Sequence, residues 1–161
     1  MKTCPYCGSV VEIRSGAYYC GFCDMILPQE LLQEEGKRKQ FSINQASVSI
    51  DLADMSTPEL MTRKTYELLI LLRHLRQKRS DSFNLMRILK KANAQADEFQ
   101  AAASSSGKDY EWWTRKMWIV ENIIRDRMNY VPARITDDYL LSIEKQIIDG
   151  NSKNLIVVGG K

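Results

Sequence analysis

Cys4-Pro5-Tyr6-Cys7-Gly8 and Cys20-Gly21-Phe22-Cys23, separated by Ser9 to Tyr19, contain every cysteine of this chain. The spacing Cys-x2-Cys-x12-Cys-x2-Cys supplies two chelating pairs, and two such pairs complete the tetrahedral shell that one Zn²⁺ requires. Within each pair the two intervening residues let the backbone fold into a tight knuckle, with both sulfurs about 2.3 Å from one centre. Gly8 and Gly21 suit that bend, because backbone N–H groups must aim at thiolate sulfur where a Cβ would interfere. Pro5 presets φ for the first turn.

Between the pairs, Val10 to Ile13 and Ala17-Tyr18-Tyr19 flank Arg14-Ser15-Gly16, the pattern of a β-hairpin with a knuckle at each end. Cys4-Pro5-Tyr6-Cys7 also resembles the redox motif of glutaredoxins, where it follows a full strand and opens a helix. Here only Met1-Lys2-Thr3 precede it, strand-like residues follow it, and no Thr-Val-Pro segment comes later. A second correctly spaced pair has no role in such a site, so the metal reading prevails. Residues 1–28 resemble a zinc ribbon. The resemblance implies one structural zinc per chain held by Cys4, Cys7, Cys20 and Cys23, and it implies no particular task, since ribbons serve polymerases, ribosomes, repair proteins and adaptors alike. Rubredoxins hold iron on similar knuckles, but the loop here is much shorter and lacks their aromatic core.

The chain has 161 residues, enough for one metal-stabilised module and one ordinary core. A ribbon of under about 30 residues cannot bury enough apolar surface to fold alone, so its stability is expected to come from the metal. No apolar run of membrane-spanning length and no secretory signal pattern is read, and a zinc thiolate site needs reduced thiols, so the expected location is cytoplasmic with no membrane partner. Net charge is +3, from 23 basic and 20 acidic side chains. That balance does not by itself declare a nucleic-acid binder.

The fold expected is mainly α: an N-terminal β-hairpin ribbon (1–28), a linker (29–55), a bundle of about four helices (56–150) and a C-terminal tail (151–161). The linker reads as a charged helical stretch over Gln29 to Gln40, with Lys37-Arg38-Lys39 as a solvated segment, then a weak strand in which Val48, Ile50 and Leu52 alternate with polar residues. Ser56-Thr57-Pro58-Glu59 caps a first helix expected to reach about Lys78, its apolar face built from Leu60, Met61, Leu68, Leu71, Leu72 and Leu75. Ser80-Asp81-Ser82 then reads as a turn. A second helix is expected from Ser82 to Ala103, burying Leu85, Ile88, Leu89, Ala92, Ala96 and Phe99, and Ser104 to Gly107 reads as a flexible turn. A third, from Asp109 to Asn129, turns Trp112, Trp113, Met117, Val120, Ile123 and Ile124 inward and stops before Pro132. Thr136 caps a fourth that leaves at Gly150. Leu155 to Val158 reads as an edge strand or a frayed tail.

Catalytic signals are sparse. His74 is the lone histidine and has no placed nucleophile or carboxylate partner. Asp137-Asp138 is explained by the helix dipole, and no Gly-rich phosphate loop is present. Four thiolates leave the metal no open position. The expectation is therefore a protein that is not an enzyme and has no small-molecule substrate. Two features point to binding. Between Arg63 and Lys91 nine basic side chains face two acidic ones, a local excess of +7, with Arg76, Lys78, Arg79, Arg87, Lys90 and Lys91 as candidates to contact phosphates. Trp118 falls on the polar side of its helix with Glu111, Arg115, Asn122 and Arg125, where it is either covered by another element such as the linker or the C-terminal tail or exposed with a composition suited to a protein partner. Two functions stay open: a regulator that contacts nucleic acid, or an adaptor that docks on a larger protein.

Overall fold

Lys2–Thr3 (β1), Glu12–Arg14 (β2), Ala17–Cys20 (β3), Met25–Leu27 (β4) and Gln33–Glu34 (β5) open the chain, and helices Thr57–Met61 (α1), Thr65–Gln95 (α2), Gln100–Met128 (α3) and Asp137–Asn151 (α4) follow. The computed structural model describes residues 1–43 and 47–152. Small antiparallel strands followed by four helices match the fold expected. The described residues form two compact units, one of Met1–Ile43 with those from Leu141 onward, the other lying within Asn44–Leu140.

In the first unit β2, β3 and β4 form one antiparallel sheet, with Arg14 opposite Ala17 and Cys20 opposite Met25. Ser15 and Gly16 both take positive φ (49° and 80°), the geometry of a two-residue hairpin turn whose twist matches its strands. The expected charged helix over Gln29 to Gln40 does not form. Pro28 is extended, a single 3₁₀ turn occupies Gln29–Leu31, and β5 then pairs with β1, Lys2 opposite Glu34. Leu32 packs against the cysteines, and that contact together with strand pairing outweighs the helix propensity of the charged residues.

In the second unit Ile50–Asp54 is a 3₁₀ helix rather than the weak strand expected there, because the Ser49 hydroxyl accepts from the Asp51 N–H and starts a helical turn. Ser56 and Glu59 form the reciprocal cap of α1. That helix stops at Met61, well short of Lys78. Arg127 donates to the carbonyls of Met61 (2.6 Å) and Arg63 (2.7 Å), taking up groups an unbroken helix would use, and the Glu67 carboxylate accepts from the Lys64 N–H at the start of α2.

The helix α2 runs 31 residues, roughly 46 Å, straight through Ser80-Asp81-Ser82. No turn occurs there, since neither Ser nor Asp breaks a helix that a neighbour supports along its length. The reversal comes at Ala96, which is extended, and α3 starts at Gln100 and passes through the expected flexible turn of Ser104 to Gly107. Ser106 and Gly107 instead lie on the contact face with Ala103, while Ser104 and Ser105 are exposed. Ala103 and Ser106 are buried, and a Cβ on Gly107 would lie 4.0 Å from Met86 Sδ. Asn93 pairs with Gln100, Arg79 with Thr114 and Arg76 with Glu121, so α2 and α3 run antiparallel.

Leu68, Leu69, Leu71, Leu72 and Leu75 of α2 and Val120 and Ile124 of α3 are fully enclosed, with Leu60, Ala53, Ile135 and Leu140 closing the core. Beyond Leu75 the main packing partner of each of these helices is the other. Leu85, Ile88 and Phe99, expected to be buried, are exposed (51%, 60% and 39%), and Trp112 is exposed on the side expected to face inward. At its C-terminus α3 ends on Asn129 in the left-handed conformation (φ 64°), whose N–H reaches the Arg125 carbonyl at 2.8 Å. The Thr136 hydroxyl accepts from the Tyr139 N–H, as a cap of α4 should, and α4 continues through Gly150 to Asn151. The strand or tail read at Leu155 to Val158 lies outside the described residues.

Gly107 is in a helix interior with ordinary contact distance for a methyl group. Gly107→Ala should therefore raise stability by about 0.5 to 1 kcal/mol in urea denaturation. A flexible turn at this position would give no such gain.

Candidate metal centre

The two knuckles share one construction. In the first, the Cys4 N–H donates to the Ser9 carbonyl (2.8 Å), the Gly8 N–H donates to the Cys4 carbonyl (3.0 Å), and Gly8 has φ 75°. In the second, the Cys23 N–H points at Cys20 Sγ (3.4 Å), and the residue after the pair, Asp24, has φ 52°. Each pair is thus followed by a left-handed residue that turns the chain away. Gly21 does not fill that role, contrary to the sequence reading; Asp24 does, and its carboxylate accepts from the Tyr19 hydroxyl. Asp tolerates the left-handed region because its short polar side chain bonds locally.

The four cysteines bring their sulfurs within 4.8 Å of one another, with Cys4 to Cys23 at 3.9 Å and Cys7 to Cys20 at 3.5 Å. A tetrahedron with bonds of about 2.3 Å has edges of about 3.8 Å. The residues therefore fit one metal ion, and soft sulfur donors in this number match zinc chemistry. Cys4 and Cys20 are buried, and with Leu27 they form the centre of the small ribbon core.

Ionisation is uneven across the set. Burial pushes the Cys4 thiol up. At Cys7 burial also resists ionisation, but hydrogen bonds from the Ser9 side chain and backbone and from neighbouring thiols outweigh it and lower the pKa to about 6. Hydrogen bonding with Cys7, then burial, pushes Cys23 up to about 12. Ionisation of Cys7 is thus favoured while Cys4 and Cys23 resist it. A dication at the centre reverses that order by stabilising all four thiolates.

The other sequence candidates are dispersed. Arg76 is paired with Glu121 (2.9 Å) and donates to the Pro132 carbonyl (2.8 Å). Arg79 donates to Thr114 Oγ1 and the Tyr110 hydroxyl and lies over the Tyr110 ring. Both are committed to holding α2 against α3. Lys78, Arg87, Lys90 and Lys91 are exposed, and helical spacing gathers the last three within about 100° of one face of α2 while Lys78 lies away from them. Trp118 is 64% exposed, a point its sequence position left open, and borders a shallow groove of about 280 Å³ with Tyr110, Glu111, Thr114 and Arg115. His74 is partly buried, and burial, aided by Arg73, lowers its pKa. Asp137 pairs with Arg73.

A feature absent from the sequence reading lies beside the first knuckle. Lys37, Arg38, Lys39 and Phe41, read as linker, line a groove of about 430 Å³ together with Tyr6 and Gly8. A basic triplet followed two residues later by an aromatic was the only signal available, and its nearness to the cysteines depends on the pairing of β1 with β5. Among the described residues no helix is long and apolar enough to cross a membrane. Neither a described protein family, nor a characterised protein, nor a solved structure matches this chain.

Purified chain should carry one metal ion, and Cys20→Ser should abolish binding and expose the ribbon amides to hydrogen exchange while the far-UV helical signal persists, because α2 and α3 bury Leu68, Leu72, Val120 and Ile124 in a core of the second unit's own. Metal binding requires thiolates, so acidification from pH 7 through the Cys7 pKa of about 6 should weaken metal affinity, and raising the pH should strengthen it. Metal content after dialysis across this range checks the sign.

Proposed function

We propose that this chain is a non-catalytic, zinc-stabilised protein that binds nucleic acid in the service of gene expression or repair, with one structural zinc per chain. A shell of four sulfurs leaves no position for substrate or water, which supports a structural rather than a chemical role for the metal. Zinc thiolates persist in reducing surroundings, which supports a cytoplasmic location.

The observation that carries the nucleic-acid reading is the supply of free cations. Lys37, Arg38 and Lys39 gather at the first knuckle, and Arg87, Lys90 and Lys91 project from one side of α2; among the described residues none of the six pairs with a carboxylate. Unpaired cations on exposed surface suit phosphates, whose condensed counterions are released on binding. Removing Arg76 and Arg79 from the candidate set narrows the helical contribution to the distal half of α2.

A second reading is favoured by Trp118. A largely exposed Trp beside Arg115 and a groove is the composition of a protein-binding anchor, so an adaptor that docks on a larger protein is the alternative.

Substituting Arg87, Lys90 and Lys91 together by Gln should weaken binding to DNA or RNA and reduce the log–log salt slope by about 0.7 to 0.9 for each phosphate that is no longer neutralised. If the unmodified protein binds no nucleic acid at low salt, the adaptor reading replaces this one.

The tryptophans separate the alternatives from the other side. Trp118→Ala should change stability by no more than about 0.5 kcal/mol. Trp113→Ala should cost about 2 kcal/mol or more, because Trp113 is half-buried and packs edge-on against Trp112 at 4.6 Å. Denaturation of both variants measures the contrast, and equal losses would make Trp118 a packing residue.

A further inference from the structure

We propose that the groove beside the first cysteine knuckle is a binding site for single-stranded nucleic acid, with Lys37, Arg38 and Lys39 taking phosphates and Tyr6 and Phe41 stacking on bases. The proposal rests on the nucleic-acid reading above and assigns it to a particular surface.

The groove, about 430 Å³, falls in the size range of ligand sites. Three consecutive cations line it and no carboxylate does. Cys4 also lines it, and four thiolates around one Zn²⁺ would carry a net charge of −2, which the +3 of the triplet outweighs; low-dielectric walls concentrate the field of charges so placed. Two aromatic rings border the same space, and both are turned to solvent, Tyr6 at 67% and Phe41 at 53% exposure. A ligand that covered these rings would remove their exposed apolar surface from water. Cations tracking a backbone, interleaved with rings that offer a π-face, are the two elements by which proteins hold single strands.

The walls are held in place before any ligand arrives. The Glu35 N–H donates to the Met1 carbonyl (3.2 Å) and the Gly36 N–H to Thr3 Oγ1 (3.1 Å), which fastens the approach to the basic triplet onto β1. Glu35 and Gly36 both adopt positive φ (54° and 72°), turning the chain so that Lys37 to Lys39 line the groove beside Gly8. A Cβ on Gly36 would lie 4.0 Å from the Gly8 carbonyl oxygen, a measure of how closely the two segments approach. Phe41 is fixed at both backbone groups, its N–H donating to Asn151 Oδ1 and its carbonyl accepting from Asn151 Nδ2, each at 2.9 Å. A site ordered in advance forfeits less entropy on binding.

The chemistry selects among polyanions. Bases in a duplex are already stacked on each other and cannot cover Tyr6 and Phe41, whereas unstacked bases can. An acidic peptide would satisfy the cations and leave both rings exposed. The lining cations and rings recognise phosphate and π-face rather than base edges, so binding should tolerate any sequence.

The test is fluorescence anisotropy with a labelled oligo(dT) 12-mer, an oligo(U) 12-mer, a duplex of equal length, an abasic 12-mer and poly-glutamate, on the full zinc-loaded chain. Single strands should bind tighter than duplex, abasic strand or poly-glutamate. Phe41→Ala should weaken single-strand binding roughly 5- to 150-fold, and the combined Lys37→Gln, Arg38→Gln, Lys39→Gln variant should lower the log–log salt slope by about 2. Both should retain one zinc per chain. Tyr6→Ala sits inside the knuckle, so Phe41→Ala carries the stacking test if Tyr6→Ala loses its metal. Equal binding of abasic strand, or preference for duplex or poly-glutamate, overturns the proposal. If the groove variants bind as wild type while the Arg87, Lys90, Lys91 variant loses binding, the groove assignment fails and the nucleic-acid reading stands. If wild type binds no nucleic acid, both fail.

Discussion

Four thiols drawn within 4.8 Å of one another set the terms for the N-terminal unit. Its core otherwise consists of Leu27 with partly covered Val11, Tyr18 and Leu32, far too little apolar area to balance the ordering of some forty residues. Left metal-free, the cluster is electrostatically frustrated: Cys7 ionises readily, and Cys23 holds its proton because Cys7 does not. A dication held there would remove that conflict and supply the stabilisation the apolar core lacks. The strands depend on the same centre, since β3 ends in Cys20, β1 leads into Cys4, and β5 is held by pairing with β1. The basic groove is in turn a consequence of that pairing.

The second unit is organised by a different constraint, the close approach of two long helices. Ala103, Ser106 and Gly107 admit Met86 and let α3 lie along α2, while Arg76 and Arg79 reach across and satisfy Glu121, Thr114 and Tyr110. These arginines act as struts whose methylene stems and guanidinium groups both find partners, a use that composition alone reads as surface charge. The core proper ends near Leu75 and Met117. Beyond it the hairpin stands on mutual packing, including the Phe83–Tyr110 ring contact at 5.5 Å, and leaves Leu85, Ile88 and Phe99 in solvent.

Most errors of sequence reading share one cause. Ser80-Asp81-Ser82 and Ser104 to Gly107 look like turns because Ser, Asp and Gly favour irregular backbone, but those preferences are worth under about 1 kcal/mol per residue and a packed neighbour reverses them. The true reversal at Ala96 to Phe99 carries no Gly or Pro to announce it. The break after Met61 is equally silent, since it depends on Arg127, more than sixty residues away, capturing two carbonyls. Helical periodicity placed Leu68 to Leu75 and Val120 to Ile124 inside correctly, yet it could not tell that Leu85, Ile88 and Phe99 stay exposed while Leu89, Ala92 and Ala96 are only partly covered.

The four-cysteine cluster, the Ser15-Gly16 hairpin turn, the Ser56 and Thr136 caps and the mainly helical class were determined by the sequence itself, because each depends on residues close together in the chain. Local spacing suffices for chelation, for a two-residue turn and for a cap. The place of Trp118 on a polar helical face was likewise legible, as that is a local pattern, but whether another segment covers it was not. Tertiary structure alone decided that Arg76 and Arg79 face inward, that two expected helices are one, and that Lys37 to Lys39 and Phe41 meet Tyr6 across a groove. Those outcomes require contacts between residues tens of positions apart, and only the packed chain specifies which of many locally acceptable arrangements satisfies them together.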